Sequence, residues 1–418
     1  MASTLAATAG AGRGRRAPAG ASSRIVRALA ERRIPVPIVQ AVSHVPGWAV
    51  IARGLQRVSP SAAAHARVTG MLPLPMRSVS YSAFEHRAFD TIAPSPDVPH
   101  GAESDAGWHR WTAAGLWHRI RSSHVVIVPG GFATAGGEVF SADGELIHGA
   151  SVPARTNDQR YIVQTRILPR TWRGNRIAVL TSGLQDNYFH WLIETLPRLH
   201  MVRSQGLQPD AWYVPSGKPF QAETLRMLDV PERGCIDPLQ FPVVHAREIV
   251  APFHEIVGGM THPAWVVRFL QEHLLPSRAT SAGPAQPRLY ITRAGARWRR
   301  VTNEDEVMRV LEPLGFHRLS LDHMTVADQM RLFHEAEVVV APHGAALANL
   351  AFARPGTKVV EFQPRKIQDV FYRLCQAAGL EYRYLTSLTG PDNAANNQQQ
   401  IDVDPRALAA TLGALGVR

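Results

Sequence analysis

The chain has 418 residues, which is enough for two domains and a tail. Hydrophobic residues make up 45 %, as expected of a globular protein with a buried core. Cys235 and Cys375 are the only cysteines, so the sequence excludes a disulfide framework and a multi-cysteine zinc site and suits a reducing compartment. No apolar run reaches the roughly 18 residues that span a bilayer. We therefore expect a cytoplasmic protein.

The net charge of +11 is concentrated at the start of the chain. Residues 1–75 are basic and Ala-rich, and ten arginines precede residue 70 against one acidic residue, Glu31. We expect a flexible, solvated leader with short helical pieces around Ile25–Glu31 and Pro46–Leu55. The alternative is a peripheral contact with the inner face of a membrane, since each basic residue near an anionic surface contributes about 1 kcal/mol. Nucleic-acid binding is not expected, because the charge does not follow a recognition helix.

The middle of the chain alternates strand-like and helix-like runs. Val125–Pro129 predicts a buried strand, and the Asp143–Gly144 pair between short alternating runs predicts a hairpin. A Pro- and Gly-containing stretch, Pro276–Pro287, is typical of a linker. We therefore predict a first α/β domain over residues 76–275 and a second over residues 276–418.

After the linker, strands and helices alternate regularly, which implies right-handed crossovers and a parallel sheet. The predicted strands are Arg288–Thr292, Phe316–Leu319, Val338–Ala341 and Lys358–Phe362. The predicted helices are Asn303–Leu314, Thr325–Glu335 and Ala345–Ala353. Asn303 and Thr325 are the expected N-caps of the first two helices.

The segment 338–362, VVVAPHGAALANLAFARPGTKVVEF, ends a buried strand and opens a helix with small residues. The turn His343–Ala345 would place free backbone N–H groups at the carboxyl end of a parallel strand. Ligands of open α/β sheets bind at such ends, and helix N-termini favour phosphates. The small side chains would let a diphosphate approach the backbone, and His343 adds a donor. Because glycine after a strand is common, this feature alone does not decide the site.

A second segment, 290–306 (YITRAGARWRRVTNEDE), also leaves a strand. It exposes four arginines: Arg293, Arg297, Arg299 and Arg300. Arginines suit a diphosphate because they stay charged and make paired hydrogen bonds to oxyanions. The alternative is a solvated basic loop. We predict that this loop and the turn at His343 lie on the same sheet edge.

The third segment, 186–199 (DNYFHWLIETLPRL), is predicted to be a helix that Pro197 kinks or restarts. One face would carry the polar residues Asn187, His190, Glu194 and Arg198. The other face would carry Tyr188, Leu192, Leu196 and Leu199. A His and a Glu one turn apart on an otherwise apolar helix suit a general base and the group that orients it. The alternative is a partly buried polar stripe that holds two domains together.

Together the three segments resemble the family 61 glycosyltransferases. The matching stretches are NYFHWLIETLPRL (187–199), ITR…RRVTNEDE (291–306) and PHGAALANL…PGTKVVEF (342–362). The resemblance covers roughly residues 120 to 390, in the same order, and leaves out the leader and the Gln-rich region around Asn396–Gln400. The family includes bacterial capsular polysaccharide biosynthesis proteins, plant xylan-modifying transferases and O-linked GlcNAc transferases.

The resemblance implies a GT-B-like α/β fold, in which two facing Rossmann-like domains hold donor and acceptor in the cleft between them. It also implies inversion at the anomeric carbon, with transfer from a nucleotide-sugar to a glycan or lipid-linked acceptor in polysaccharide (capsule or exopolysaccharide) biosynthesis, and generally no bound metal or other cofactor. The sequence agrees, since its only Asp-x-Asp triplet is Asp402–Asp404, where Asp404 before Pro405 is typical of a helix cap. The 18 histidines form no HExxH motif or comparable cluster, which argues against a metal hydrolase.

By the same resemblance, Arg293 and Arg300 hold the donor diphosphate. The backbone N–H groups of His343, Gly344 and Ala345 support the phosphates. A structural role falls to Asn187 and Asn349. Glu361 accepts hydrogen bonds from the nucleotide ribose or, alternatively, forms a salt bridge with Arg365.

For the base that takes the acceptor proton we favour His190, whose ordinary pKa near 6.5 suits neutral pH. Glu194 and Asp186 are the alternatives. A second functional hypothesis is a catalytically inactive scaffold that keeps the nucleotide-sugar site within a polysaccharide-assembly complex.

Overall fold

The computed structural model describes residues 78–90, 119–148, 171–182, 184–257, 264–275, 287–365, 368–390 and 399–418. The basic leader and most of the expected linker, residues 276–286, lie outside these ranges. The described residues form a mixed α/β fold with two sheets, one of ten strands and one of five.

The ten strands of the first sheet are β1 (Ser78–Ser80), β2 (Glu85–Asp90), β3 (Arg119–Pro129), β4 (Phe132–Thr134), β5 (Val139–Phe140), β6 (Leu146–His148), β7 (Thr171–Val179), β8 (Ala211–Tyr213), β9 (Cys235–Ile236) and β10 (Val243–Val257). The five strands of the second sheet are β11 (Arg288–Ile291), β12 (His317–Leu319), β13 (Val338–Pro342), β14 (Lys358–Gln363) and β15 (Glu381–Thr386).

The α-helices among the described residues are α1 (Tyr188–His190), α2 (Leu196–Ser204), α3 (Pro219–Met227), α4 (Ala264–Leu274), α5 (Glu304–Leu311), α6 (Val326–Glu335), α7 (Val370–Ala378) and α8 (Pro405–Ala414). A π-helical segment, Trp191–Thr195, joins α1 to α2, and a 3-10 helix, Ala345–Phe352, follows β13. Shorter 3-10 turns lie at Tyr81–Ala83, Glu232–Gly234 and Glu312–Leu314.

All strands of the second sheet are parallel, in the spatial order β12-β11-β13-β14-β15. This confirms the parallel sheet that the strand–helix alternation predicts. The chain moves from β11 to β12 in one direction and then crosses back to β13. The reversal creates a switch point between β11 and β13, where open α/β sheets bind ligands at the carboxyl ends of their strands.

The first sheet contains a similar parallel set, in the spatial order β9-β8-β7-β10. Its switch point lies between β7 and β10, and the helical run from α1 to α2 begins after β7. β3 and β4 pair antiparallel with β10, and the predicted hairpin is present between β5 and β6, with Gly144 in its turn at φ 75°. These parallel sheets are consistent with a Rossmann-like fold.

Helices cover both faces of the second sheet, which explains why every residue of β13 is buried and apolar. On one face, Val340 packs in a cluster with Leu311 of α5 and Leu408 of α8. On the other face, a larger cluster continues without a break into the first sheet and joins Leu347 of the 3-10 helix to Phe269 of α4. We call the part of the chain up to residue 275, which holds the ten-stranded sheet, the first half, and the part from residue 287, which holds the five-stranded sheet, the second half. The two halves share one hydrophobic core.

Asn303, Thr325 and Asp404 all occupy the N-cap positions of their helices, but only Thr325 and Asp404 cap with their side chains. Thr325 accepts from the backbone N–H of Asp328, and Asp404 accepts from the N–H of Arg406. The side chain of Asn303 makes no capping hydrogen bond, because it pairs with both backbone groups of Val403, at 2.7 and 3.0 Å. A contact 100 residues away in the chain therefore overrides the local capping preference.

Polar side chains also connect the two halves. The Tyr188 hydroxyl donates to Asn349 Oδ1 at 2.8 Å, and Asn349 Nδ2 donates to Gln329 Oε1 at 2.9 Å. The Glu223 carboxylate of α3 accepts from the N–H groups of Val326 and Ala327, at 2.9 and 3.0 Å. These two donors begin α6 and have no partner within their own helix, so a residue of the first half completes a helix of the second.

Asn349 has no exposed surface, so its loss should destabilise the protein. Asn349→Ala removes the partners of the Tyr188 hydroxyl and of Gln329 Oε1, and we expect the free energy of unfolding to fall by about 2–3 kcal/mol. Tyr188→Phe removes one hydrogen bond and should cost about 1 kcal/mol. Urea unfolding of both variants measures the difference. Equal losses, or no loss in Asn349→Ala, would contradict the proposed bridge.

Candidate functional site

The loops that follow β11 and β13 meet at the switch point of the second sheet. The guanidinium of Arg293 lies directly against the backbone of Gly344, and a Cβ atom added at Gly344 would come within 2.9 Å of the Arg293 Cζ atom. Any larger residue at position 344 would displace the arginine. The structure thus brings together the two segments that the sequence places on one sheet edge.

Arg299 joins Arg293 at this point. Its backbone is in the left-handed region, at φ 60°, which is uncommon for a residue other than glycine and is often found at functional sites. Burial and the charge of Arg299 lower the pKa of Arg293 to about 10. Burial also lowers the pKa of Arg299, although the nearby charge of Glu361 opposes this effect.

Neither arginine is fully satisfied. Within the part of the chain that the structure describes, the buried Nε atoms of Arg293 and Arg299 have no hydrogen-bond partner. Arg293 donates from Nη2 to the carbonyl of Trp298 at 3.2 Å. Two like charges, close together and partly removed from water, are an arrangement that favours binding of an anion.

Arg300, predicted to hold the diphosphate with Arg293, is exposed. Its backbone is fixed on both sides by the Gln-rich segment, since its N–H donates to Gln400 Oε1 at 2.8 Å and its carbonyl accepts from the N–H of Ile401 at 2.8 Å. The N–H of Arg299 donates to the carbonyl of Gln399 at 3.1 Å. Residues 399–401 therefore hold the backbone of the arginine loop in place. Arg299, and not Arg300, is the arginine whose partly buried side chain lies near Arg293.

Glu361 does not lie where a nucleotide ribose could reach it. Its residue is 0 % exposed, its Oε1 atom lies 2.5 Å from Nδ1 of His343, and its Oε2 atom accepts from the Tyr382 hydroxyl at 2.6 Å. Both carboxylate oxygens are therefore engaged inside the fold, and the predicted ribose contact is wrong. The burial follows from the position of β14 in the middle of a sheet covered on both faces.

The turn after β13 offers fewer backbone donors than expected. The N–H of His343 donates to the carbonyl of Phe362 at 2.8 Å, so it extends the sheet and is not free for a ligand. The predicted helix after it is a 3-10 helix, with Gly344 at its N-cap. Because the first N–H groups of a helix have no intrahelical partner, Gly344 and Ala345 carry the donors that remain for an anion.

A cavity of about 690 Å³ adjoins the arginine loop. Such a volume suits a nucleotide-sized ligand. The first half contributes Tyr188, Pro219, Phe220 and Glu223, and the second half contributes Arg293, Ala345 and the residues Leu321–Val326. The cavity is therefore built from both halves of the chain, and one of its walls carries Arg293.

The predicted base and its orienting group are in contact in the first half. His190 Nδ1 lies 2.9 Å from Glu194 Oε2, although the angles are not those of a hydrogen bond. Asn187 caps α1, since its side chain accepts from the N–H of Phe189 at 2.9 Å. The side chain of Asp186 is 69 % exposed and lies 3.6 Å from the Lys218 ammonium.

The π-helical segment explains how this helix accommodates Pro197. Proline has no N–H to donate and its ring would strike the carbonyl four residues earlier, that of Ile193. The wider π turn removes this conflict: the N–H of Leu196 donates to the carbonyl of Trp191, five residues back. Such π segments are frequent at functional sites.

Arg198, the last residue of the predicted polar face, points into the fold. It is buried, and it donates to the carbonyls of Leu180 and Thr181, at 3.4 and 2.8 Å, directly after β7. Burial lowers its pKa to about 10, while the charge of Glu194 acts in the opposite direction. Arg198 therefore connects the helix to the end of β7, and its charge interacts with that of Glu194.

A chain of aromatic contacts connects the two predicted centres. The ring of His190 lies 5.3 Å from that of Phe189, Phe189 lies 5.5 Å from Phe371, and Phe371 lies 5.1 Å from His343. Two phenyl rings thus separate His190 from His343. His190 and Glu194 do not line the 690 Å³ cavity.

Sequence reasoning did not identify three contributors to this site. They are the partly buried side chain of Arg299, Tyr382 and the segment 399–401. The run of four arginines shows that a charged loop exists but not which side chain turns inward. A glutamate in the apolar run of β14 signals a buried carboxylate that needs a partner. Tyr382 and residues 399–401 give no local signal, since their contacts depend on the packing of distant strands.

No helix in the described ranges is long and apolar enough to cross a bilayer. Nor do these ranges contain a group of three or more His, Cys, Asp or Glu residues that could hold a metal ion.

Comparison with known families gives one match. Residues 188–360 match the family model Glycosyltransferase 61, a range that contains nearly all of the three motif segments. This match confirms the resemblance to family 61. No curated protein matches the chain.

The lowered pKa of Arg293 leads to a prediction about stability without ligand. A cation whose pKa is lower in the folded state than in the unfolded chain costs stability at every pH below that lowered value, here about 10. Arg293→Met removes the charge and keeps an apolar side chain. We expect its Tm to rise by about 2–3 °C, equally across the neutral pH range. Thermal unfolding measures this, with Arg300→Met, at an exposed position, as the unchanged control; a fall in Tm for Arg293→Met would contradict the interpretation.

Proposed function

We propose that this chain, whose residues 188–360 match the model of glycosyltransferase family 61, transfers a sugar from a nucleotide-sugar to a hydroxyl group of a glycan or lipid-linked acceptor, with inversion at the anomeric carbon and without a metal ion. The observation that carries the proposal is the pair of partly buried arginines, Arg293 and Arg299, at the switch point of the second sheet. Their Nε atoms have no partner among the described residues. A diphosphate would satisfy both charges at once.

In the proposed reaction the acceptor oxygen forms a bond to the anomeric carbon while the bond from that carbon to the phosphate oxygen breaks. The electron pair of the broken bond leaves on the nucleoside diphosphate. Arg293 and Arg299 stabilise the charge that develops there, in the place that a metal ion takes in other transferases. The free N–H groups of Gly344 and Ala345 add neutral donors to the same phosphates.

The proton of the acceptor hydroxyl goes to His190 in this proposal. Glu194 lies 2.9 Å from Nδ1 of the ring, which leaves Nε2 to receive the proton and places a negative charge beside the imidazolium that forms. Asp186 is exposed and paired with Lys218, so it is the weaker alternative. Arg300 is proposed as an outer contact for the donor, because the same loop carries it at the surface.

The two halves would then act as donor and acceptor domains of a GT-B arrangement, with the second half binding the nucleotide. The cavity built from both halves supports this division, since donor and acceptor must meet between them. A cytoplasmic place in polysaccharide assembly, such as capsule or exopolysaccharide synthesis, is part of the proposal, as is a peripheral membrane contact through the basic leader.

The alternative is an inactive scaffold that binds the nucleotide-sugar and does not transfer the sugar. The arginine pair is compatible with both functions, because it would serve binding alone equally well. The His190–Glu194 pair favours the enzyme, because a scaffold has no use for a base and its orienting carboxylate. Measurements of nucleotide binding and of sugar transfer separate the two functions.

Nucleoside diphosphates should raise the Tm of the wild-type protein in a panel that varies the base. Arg293→Met should eliminate the shift even though it stabilises the free protein, and Gly344→Ala should reduce it because the added Cβ displaces Arg293. Differential scanning fluorimetry, with and without EDTA, measures both effects and also tests the independence from metal.

Arg300→Ala is the matched control in this experiment, and it should keep most of the shift. A shift lost in Arg300→Ala and kept in Arg293→Met would move the diphosphate to the outer face of the loop. An unchanged Tm across the whole panel would remove the donor site.

His190→Ala should lower the rate of sugar transfer about 10²- to 10⁴-fold, the usual contribution of a general base, and leave the nucleotide-induced Tm shift intact. Glu194→Gln should lower the rate less, because it removes only the neighbouring charge. The assay is release of nucleoside diphosphate in the presence of acceptor. Full activity in His190→Ala with loss in Asp186→Asn would transfer the role to Asp186, and no turnover in the wild type with intact binding would favour the scaffold.

A further inference from the structure

The side chains of His343 and Glu361 form a hydrogen-bonded pair that is almost completely removed from water. The two side chains are 5 % and 0 % exposed, and Nδ1 lies 2.5 Å from Oε1. An ionised carboxylate inside a protein is expensive unless a positive or donating group compensates it. The burial of a carboxylate beside a histidine therefore needs a reason other than side-chain packing.

The other groups around Glu361 do not supply a proton. Burial raises the pKa of the Tyr382 hydroxyl and of the Cys375 thiol well above their ordinary ranges, so both remain neutral. Tyr382 donates to Oε2 at 2.6 Å. Within the described ranges, the groups near this carboxylate that can carry a positive charge are Arg299, whose charge interacts with it, and His343. Of these two, only His343 makes a direct contact at hydrogen-bond distance.

We propose that Glu361 is a positioning residue that holds His343 as an imidazolium, with Nδ1–H donated to the carboxylate and Nε2–H kept as a donor for the phosphate oxygen that leaves with the nucleotide. This inference rests on the proposed function, because it assigns His343 to the same diphosphate as Arg293 and Arg299. It replaces the ribose contact that the sequence suggests for Glu361.

The chemistry follows from the two ring nitrogens. A carboxylate at Nδ1 favours the charged imidazole, and in the charged ring both nitrogens carry protons. His343 immediately precedes Gly344, on which the Arg293 guanidinium lies, so the ring belongs to the turn that borders the arginine pair. When the bond between anomeric carbon and phosphate oxygen breaks, its electron pair stays on that oxygen. Nε2–H then donates a stronger hydrogen bond to it, and the proton stays on the ring.

Tyr382 supports the arrangement from β15. Its hydroxyl donates a hydrogen bond to Oε2 of Glu361 and accepts one of 3.3 Å from Gln363 Nε2. The carboxylate is thus held in one orientation, with Oε1 towards the histidine. Tyr382 lies beyond the range matched by the family model, so this support comes from the structure alone.

The test observes His343 directly, in full-length protein with ¹⁵N-labelled histidine. His343→Asn identifies the His343 resonance among the 18 histidines. In the ligand-free wild type we expect the imidazolium signature of His343 at neutral pH. In Glu361→Gln the signature of the neutral ring should replace it. Glu381→Gln, a partly exposed glutamate on β15, is the matched control and should leave the resonance unchanged.

A second arm adds inorganic pyrophosphate. It should move the Nε2 resonance of His343 in the wild type, and Glu361→Gln should weaken pyrophosphate binding about tenfold or more, the effect of losing a hydrogen bond from a charged group. Tyr382→Phe, which keeps the carboxylate and the ring, should give a smaller loss in the same direction. This milder variant preserves the test if Glu361→Gln does not fold.

Three outcomes would overturn the inference. The first is a His343 resonance that Glu361→Gln and Tyr382→Phe both leave unchanged. The second is pyrophosphate that binds through Arg293 without moving the His343 resonance, and in that case the proposed donor site survives. The third is wild-type protein that binds neither pyrophosphate nor any nucleoside diphosphate, and in that case the proposed function fails as well.

Discussion

The Arg293 guanidinium lies against the backbone of Gly344, and this contact joins the loops that leave β11 and β13. It exists because the two strands are neighbours in a parallel sheet and because the chain reverses direction between them. At such a point the loops on either side diverge and leave a crevice at the sheet edge. The other features of the site, the second arginine, the buried histidine and the free amides of the 3-10 helix, are arranged around this contact.

The energetic consequence is that the site is costly without a ligand. Burial lowers the pKa of both Arg293 and Arg299, and the charge of Arg299 lowers that of Arg293 further. Both carboxylate oxygens of Glu361 are in contact with His343 and Tyr382, so Glu361 forms no salt bridge with either arginine among the described residues. The charges of Asp322 and Glu361 offset this cost only in part, since the pKa of each arginine stays lowered. A fold that keeps such charge at a crevice gives up stability that an anion restores, which is the usual trade between stability and function.

The sequence predicts four of the five strands of the second sheet, their parallel arrangement and the meeting of the arginine loop with the turn at His343, because these depend on local periodicity and on the rule that strand ends share an edge. It does not predict which arginine turns inward. That choice depends on the backbone of Arg299 at φ 60°, which is set by pairing with residues 399–401 about 100 residues later. The same limit applies to Asn303 and Glu361, whose partners are brought to them by tertiary packing.

The way the two halves are joined bears on how such a site could work. One hydrophobic core runs through both sheets, and the bridges from Tyr188 to Asn349 and from Glu223 to the start of α6 lie along the cavity. A ligand that enters between the halves must therefore fit a wall whose polar groups are largely paired already. Arg293 is the exception on that wall, since its Nε atom has no partner among the described residues. A guanidinium with a free Nε–H attracts an anion far more strongly than paired amides and hydroxyls do, so the charge of the ligand decides where it sits. The apolar walls around Phe220 are left to select its shape.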